Sequence, residues 1–317
     1  AFLIDRNTAL LMLVRAIDNL PKANTPDSIF RSSRAGNITY GGSCSSSTTA
    51  ATVDNNTITF SALSDGPYSN CTITVTDNAS NTSDNLPVNS FTVDATAPTL
   101  GVETRVSTPD NDSTPNYIFR SNEAGTITYG GSCSSSTTAA SVGDNTITFN
   151  ELADGPYNCT ITVTDNASNT STQSVNTFII DTTAPTLSRV SAVSTPINDS
   201  TPNYTFSSSE AGTITYGGSC SSSTTTASAD NNTITFNALT TDANYGDCTI
   251  KVTDNASNQS SPQDVSSFRI DTTAPTLAEV TRVSTPTNDN ETSYTFSSNE
   301  AGTIAYAGGC TSSTTAA

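Results

Sequence analysis

The segment A-G-T-I-T-Y-G-G-S-C occupies residues 124–133, and related segments occupy residues 35–44, 211–220 and 301–310. In the copy at 124–133, isoleucine and tyrosine alternate with threonine. This period of two predicts a β-strand with one buried face and one hydrated face. A second block, Y-N-C-T-I-T-V-T-D-N-A-S-N at residues 157–169, alternates in the same way and also recurs. Recurrence at intervals of about 88 residues predicts a tandem array of small β domains.

A third motif, D-x-T-A-P-T-L, separates the repeats at residues 94–100, 181–187 and 271–277. Its proline disfavours continuation of a strand or helix, so it marks the joints. We predict five segments of a longer tandem array. The less favoured alternative is that the first strand of one copy completes the broken last repeat of a neighbouring copy. The segments are the last strand of a preceding repeat (1–7), repeat one (8–96), repeat two (97–183), repeat three (184–273) and the first half of repeat four (274–317).

The composition excludes several classes of function. The 317 residues contain no histidine, so neither a Ser/His/Asp triad nor a histidine-ligated zinc site is available. The formal charge of −18 disfavours nucleic acid and anionic lipid as partners. With 33% hydrophobic residues the chain suits small domains with thin cores. We therefore expect a protein that is not an enzyme.

The seven cysteines predict one disulfide in each whole repeat. In repeat two, Cys133 shares its face with Ile127, and Cys159 shares its face with Ile161, so both thiols point inward. Zinc is the weaker alternative because no Cys-x-x-Cys pair occurs. Disulfides imply an extracellular or cell-surface location. The predicted pairs are Cys44–Cys71, Cys133–Cys159 and Cys220–Cys248, with Cys310 left unpaired.

The tyrosine just before the second cysteine carries a resemblance to a known family. In A-D-G-P-Y-N-C-T-I-T-V-T-D at residues 153–165 it lies where immunoglobulin-like sandwiches have a corner tyrosine, whose hydroxyl binds upstream backbone. With the T-A-P-T linkers, the units resemble bacterial Ig-like repeats of large surface proteins. The resemblance implies an all-β fold of tandem Ig-like sandwiches. The corner candidates are Tyr68, Tyr157 and Tyr245.

If the strands run in Ig order, acidic side chains of adjacent repeats converge at each joint. Hard oxygen ligands without histidine suit calcium. The sequence favours the other interpretation, in which Asp and Asn form turns and add soluble charge. At the first joint, Arg34 replaces the glutamate of the S-x-E-A-G motif. The candidate calcium ligands are Asp94, Asp165, Asp110, Asp112, Asp181, Glu210, Asp254 and Asp271.

These features predict a secreted or surface-displayed bacterial fibre or adhesin stalk, in which further repeats of the same chain or neighbouring copies are the partners. Two alternatives remain: a filament subunit assembled non-covalently by strand complementation, and a module that binds surface glycan or protein.

Overall fold

The structure is a computed structural model that describes residues 5–317. Every regular element among these residues is a β-strand, which confirms the predicted all-β class. The terminal strand predicted at residues 1–7 begins outside the described residues, and Asp5, Arg6 and Asn7 belong to no strand. Within residues 5–317, no helix has the length and apolar character needed to cross a bilayer.

The first repeat contains three antiparallel sheets, with strand orders β1-β2-β5, β4-β3-β7-β8 and β6-β9. All three sheets contribute side chains to one hydrophobic core. The strands are β1 (Leu11–Arg15), β2 (Asp27–Ser32), β3 (Gly36–Gly41), β4 (Ala50–Ala51), β5 (Asp54–Thr59), β6 (Gly66–Tyr68), β7 (Thr72–Thr76), β8 (Leu86–Pro87) and β9 (Phe91–Val93).

The second and third repeats have the same three sheets, ordered β10-β11-β14, β13-β12-β16-β17 and β15-β18, then β19-β20-β23, β22-β21-β25-β26 and β24-β27. The second repeat has β10 (Leu100–Thr104), β11 (Asn116–Ser121), β12 (Gly125–Gly131), β13 (Ala139–Ala140), β14 (Gly143–Thr148), β15 (Gly155–Tyr157), β16 (Cys159–Thr164), β17 (Thr170–Ser174) and β18 (Phe178–Ile180). The third has β19 (Leu187–Ser191), β20 (Asn203–Ser208), β21 (Gly212–Gly217), β22 (Thr226–Ala227), β23 (Asp230–Thr235), β24 (Asn244–Tyr245), β25 (Thr249–Thr253), β26 (Gln263–Asp264) and β27 (Phe268–Arg269). Beyond it lie β28 (Leu277–Thr281) and β29 (Thr295–Ser298), which pair with each other.

The alternation along β16 shows how sequence determines the sandwich. Ile161 and Val163 are fully buried, whereas Thr160 and Thr162, which alternate with them along the strand, are partly exposed. Threonine suits this outer face because its branched Cβ favours extended backbone while its hydroxyl remains hydrated. Strand β16 pairs with β12, so that Ile161 lies opposite Tyr129. The inward side chains of both strands therefore join one core.

Glycine in the A-G-x-I-T-Y-G-G motif allows close contact between these two strands. A Cβ on Gly125 would overlap the main-chain carbonyl oxygen of Thr164. Gly131 has a φ of +79°, in the left-handed region, and a Cβ there would overlap the carbonyl oxygen of Asn158. Gly125 is therefore required on steric grounds, and Gly131 on both steric and conformational grounds.

Each whole repeat contains one disulfide, as the fold-class prediction required. Cys133 follows β12 and Cys159 begins β16, and their Cα atoms are 5.7 Å apart. The corresponding Cα distances are 5.4 Å for Cys44–Cys71 and 5.3 Å for Cys220–Cys248. All six of these cysteines are buried, whereas Cys310 is free and exposed. The bridged strands are neighbours in one sheet, so each bond reinforces a strand pair.

The chain divides into two compact units, the first ending at Thr182 and the second beginning at Thr183. The first unit contains two hydrophobic cores, drawn from residues 9–93 and 106–180. The second contains one, drawn from residues 193–270. The boundaries near residues 96, 183 and 273 stay predictions.

One feature of the cores differs between repeats. The Tyr117 and Tyr204 side chains are fully buried, yet neither hydroxyl has a hydrogen-bond partner within the described chain. In the first repeat the same strand position holds Ser28, whose hydroxyl donates to the Arg15 carbonyl oxygen at 2.9 Å. A buried hydroxyl without a partner loses its hydration without compensation. The two tyrosines therefore bury their rings at a cost in polar solvation.

Replacing Tyr117 with phenylalanine removes this unpaired hydroxyl and keeps the ring. We expect the free energy of unfolding of the second repeat to rise by about 0.5–1 kcal/mol. Tyr129→Phe is the matched control, because the Tyr129 hydroxyl donates to the Thr137 carbonyl oxygen and its loss should destabilise the repeat. Urea unfolding midpoints measure both effects. Equal destabilisation by the two substitutions would contradict this account.

Candidate functional site at the joint between repeats

The linker after the first repeat is bound by an aspartate of that repeat. Asp65 accepts a hydrogen bond from the Ala95 amide at 2.9 Å and another from the Thr96 hydroxyl. The hydrogen bond from Thr96 lowers the pKa of the Asp65 carboxyl, so the carboxylate form is favoured at neutral pH. The linkers after the second and third repeats are bound in the same way, by Asp154 to Thr182, and by Asp242 to Thr272 and Thr273.

The linker at residues 94–100 is also bound by the second repeat, through the T-D-N-A-S-N turn at residues 164–169. The Asn169 side chain is almost fully buried and donates one N–H to the Asp94 main-chain carbonyl oxygen and one to Asp165 Oδ2, both at 2.9 Å. The Asn169 amide also donates to Asp165 Oδ1 at 2.9 Å. Ser168 closes this turn with a φ of +70°. The turn therefore positions Asn169 to join two repeats.

The same contact occurs at the start of the first repeat. Asn81 donates its side-chain N–H to the Asp5 carbonyl oxygen at 3.1 Å and also contacts Asp77. A further contact between the first and second repeats joins Lys22 Nζ to the Ser168 carbonyl oxygen at 2.9 Å. Hydrogen bonds to the linker backbone thus recur at equivalent turns, although the surrounding side chains differ.

Three carboxylates meet beside the Asn169 contact. One oxygen each from Asp94, Glu123 and Asp165 lies within 4.8 Å of the others. Glu123 is held by the loop after β11, where the Ser121 hydroxyl donates to its carbonyl oxygen at 2.6 Å. Burial raises the pKa of the Glu123 carboxyl, and the charges of Asp94 and Asp165 raise it further. Like charges therefore repel at this joint.

At the start of the first repeat, an arginine occupies the position equivalent to Glu123. The Arg34 guanidinium lies 2.5 Å from an Asp5 oxygen and 3.3 Å from an Asp77 oxygen. The local turn is the same, since the Ser32 hydroxyl donates to the Arg34 carbonyl oxygen at 2.6 Å. The hydrogen bond from Arg34 lowers the pKa of Asp5. A positive side chain here replaces the negative one of the next joint.

The other predicted ligands have different surroundings. Asp110 Oδ1 accepts the Asp112 amide, and Asp112 Oδ1 accepts the Thr114 amide and hydroxyl, as in turns. Asp271 pairs with Arg269 at 3.6 Å. Asp181 belongs to one compact unit, and Glu210 and Asp254 belong to the other, so their convergence stays a prediction.

The predicted corner tyrosines all donate to upstream backbone. The Tyr157 hydroxyl donates to the Ala153 carbonyl oxygen at 2.8 Å. Tyr68 and Tyr245 donate to the carbonyl oxygens of Ser64 and Thr240, both at 3.0 Å. These contacts fix the turn that carries Asp65 and its equivalents, three residues before each tyrosine.

Sequence reasoning missed the roles of Asp65 and Asn169. Their signal was present, because the aspartate of S-D-G-P-Y and the last asparagine of T-D-N-A-S-N both recur. Both residue types are common in turns, and a turn-forming role explained them without any contact to the linker. The contacts of Asp65 and Asn169 with the linker position the first two repeats.

Comparison with known proteins gives one family match. A model of the bacterial Ig-like domain matches residues 106–182. No curated protein sequence matches the chain significantly. Among solved structures, invasin, a bacterial integrin-binding protein, is 13% identical, with 86% of this chain and 62% of that chain covered and a TM-score of 0.35. The protocadherin gammaB7 EC3-6 cis-dimer structure is 14% identical, with 87% and 75% covered and a TM-score of 0.33. Fibronectin(III)-like modules of Clostridium thermocellum CbhA are 10% identical, with 54% and 94% covered and a TM-score of 0.29.

Replacing Asn169 with alanine removes its side-chain hydrogen bonds to the Asp94 carbonyl oxygen and to Asp165 Oδ2, whereas the main-chain bond to Asp165 Oδ1 remains. We expect the second repeat to lose about 1–3 kcal/mol of stability and the amides of residues 94–100 to exchange faster. Asn166→Ala is the matched control, because Asn166 is exposed in the same turn. Hydrogen exchange by mass spectrometry measures both variants, and equal exchange in the linker would contradict a joint role for Asn169.

Calcium and pH test the three carboxylates. A raised folded pKa means that Glu123 contributes stability below its unfolded pKa of about 4.3, and that this contribution is lost as pH rises through the folded pKa. In EDTA, wild type should therefore lose stability relative to Glu123→Gln as pH rises above about 4. Calcium added in place of EDTA tests the alternative metal interpretation, because an ion bound by these carboxylates should raise the melting temperature of wild type more than that of the variant. Identical pH profiles would contradict the electrostatic account, and identical calcium responses would remove the calcium site.

Proposed function

Because the second repeat is a bacterial Ig-like domain and its strand order recurs in the first and third repeats, we propose that the chain is a segment of an extracellular structural or adhesive stalk. Its partners are further repeats of the same chain or neighbouring copies. Its role is to connect, and it catalyses no reaction. Ig-like repeats typically act in structure or binding, which supports this choice of class.

The observation that carries the proposal is the linker bound from both sides. Asp65 holds it to the preceding repeat, and Asn169 holds it to the following one. A flexible tether between independent binding modules would not need a buried side chain that hydrogen-bonds to the linker backbone. The neutral side-chain amide of Asn169 and the carboxylate of Asp65 instead restrict the joint. Restricted joints suit a protein that transmits position or force along its length.

The disulfides support placement outside the cytoplasm. Three buried bridges in one chain are typical of proteins that fold in oxidising compartments. They also limit how far a repeat extends once its sheets separate. The bond between Cys133 and Cys159, which are 26 positions apart in the sequence, keeps the segment between them closed even after unfolding. A stalk under tension gains resistance from such closed loops.

Force spectroscopy on the full chain tests the proposal. We expect discrete unfolding events for the whole repeats, each with an extension about 90 Å shorter than that of the reduced repeat, since about 26 residues stay closed. The double variant Cys133→Ala, Cys159→Ala should lengthen one event only. Extension without discrete events would exclude a mechanical role. Full-length events in oxidised protein would show that the closed loops do not limit extension.

A further inference from the structure

We propose that one residue sets the charge balance at each joint. It is the residue two positions after the buried serine of the S-x-[R/E]-A-G turn. An arginine there neutralises the neighbouring carboxylates, whereas a glutamate there adds to their repulsion. Arg34 closes the first joint by pairing with Asp5 and Asp77. Glu123, at the equivalent place, leaves the second joint with three carboxylates. The inference extends the proposed function, since it says which joints of the stalk hold without added ions.

Equivalence of the two positions is established by backbone contacts. Ser32 and Ser121 each accept the amide two residues later at 3.3 Å, and each donates to the same residue's carbonyl oxygen. The linker contacts are equivalent too, because Asn81 binds the Asp5 carbonyl oxygen as Asn169 binds that of Asp94. The two joints therefore share their backbone hydrogen bonds, and the main difference between them is the charge of the side chain, Arg34 or Glu123.

The electrostatic consequences are opposite. At the first joint one guanidinium lies between two carboxylates, and the geometry is that of charge-assisted hydrogen bonds. Asp77 is buried and is also held by its own turn, through the amides of Ala79 and Asn81. At the second joint, each carboxylate has two like charges within 4.8 Å. Arg34 is thus a positioning residue whose charge offsets the repulsion that the second joint retains.

The position tolerates either residue sterically. Arg34 and Glu123 both lie at the surface of the joint with partly exposed side chains. Neither contributes to a hydrophobic core. Exchange of the two residues therefore changes charge without opening a cavity, which makes a reciprocal swap a fair test.

The test uses two single variants of the full chain, Arg34→Glu and Glu123→Arg, with hydrogen exchange of residues 5–11 and 94–100 followed at low salt in EDTA. We expect R34E to speed exchange in residues 5–11 by about fivefold and E123R to slow exchange in residues 94–100 by about fivefold. Raising salt to about 1 M should shrink both effects, since screening weakens ion pairs.

Matched controls separate the joint effect from net charge. Arg31→Glu changes an arginine of the same repeat that pairs with Asp54 at 2.8 Å on the sheet, and Glu151→Arg changes an exposed glutamate of the second repeat. Both controls should leave the two linker segments unchanged. The inference would be overturned if the hydrogen-exchange rates of the two segments in R34E and E123R were the same as those in the control variants. Its failure is distinguishable from failure of the stalk proposal, because the force experiment does not depend on these residues.

Discussion

The bond between the two cysteines of a repeat is the constraint on which the rest of the structure depends. Each repeat is small and its core is thin, so burial alone gives a limited margin of stability. The chain-entropy model assigns about 3.5 kcal/mol to a loop of this length. In the second repeat the bond joins the end of β12 to the start of β16 and so supports the register of that strand pair. Strand β16 leads directly into the turn that holds Asp165 and Asn169. The geometry of the joint therefore follows from the geometry of the bridged sheet.

The joint combines two kinds of contact that respond differently to surroundings. The Asn169 side chain donates a neutral hydrogen bond to the linker backbone at an almost fully buried position. Salt screens such a bond little. The carboxylates beside it are charged and partly exposed, so ions and pH act on them. The Asn169 hydrogen bond therefore positions the linker, whereas the carboxylates make the stability of the joint depend on pH and salt.

Much of the fold was predictable because period-2 alternation depends only on local sequence. Ile161, Val163 and the paired cysteines lie on the inward face, as their parity indicated. The predicted calcium ligands were only partly brought together, since Asp94 and Asp165 meet but Asp110 and Asp112 serve turns. Parity indicates which face a side chain occupies, but it does not indicate which turn lies beside which linker. Contacts such as Asp65 to Ala95 depend on the folded path of the whole repeat, so the recurrence of Asp65 marks the residue without indicating its partner.

One sheet of the second repeat carries hydroxyl side chains on its outer face, whereas carboxylates lie together at the joint beside it. On the outer face of the second repeat, β12, β16 and β17 present threonine to threonine, with Thr128 opposite Thr162 and Thr162 opposite Thr172. These side chains hydrogen-bond to one another, as between the hydroxyls of Thr162 and Thr172 at 2.8 Å, and carry no charge. Many of the acidic residues lie instead in turns and linkers. Salt therefore has little to screen within this sheet, whose stability comes from apolar burial and the disulfide. Screening acts instead on the like charges of Asp94, Glu123 and Asp165, which lie together at the joint. A change in ionic strength thus affects this joint more than it affects the threonine-covered sheet.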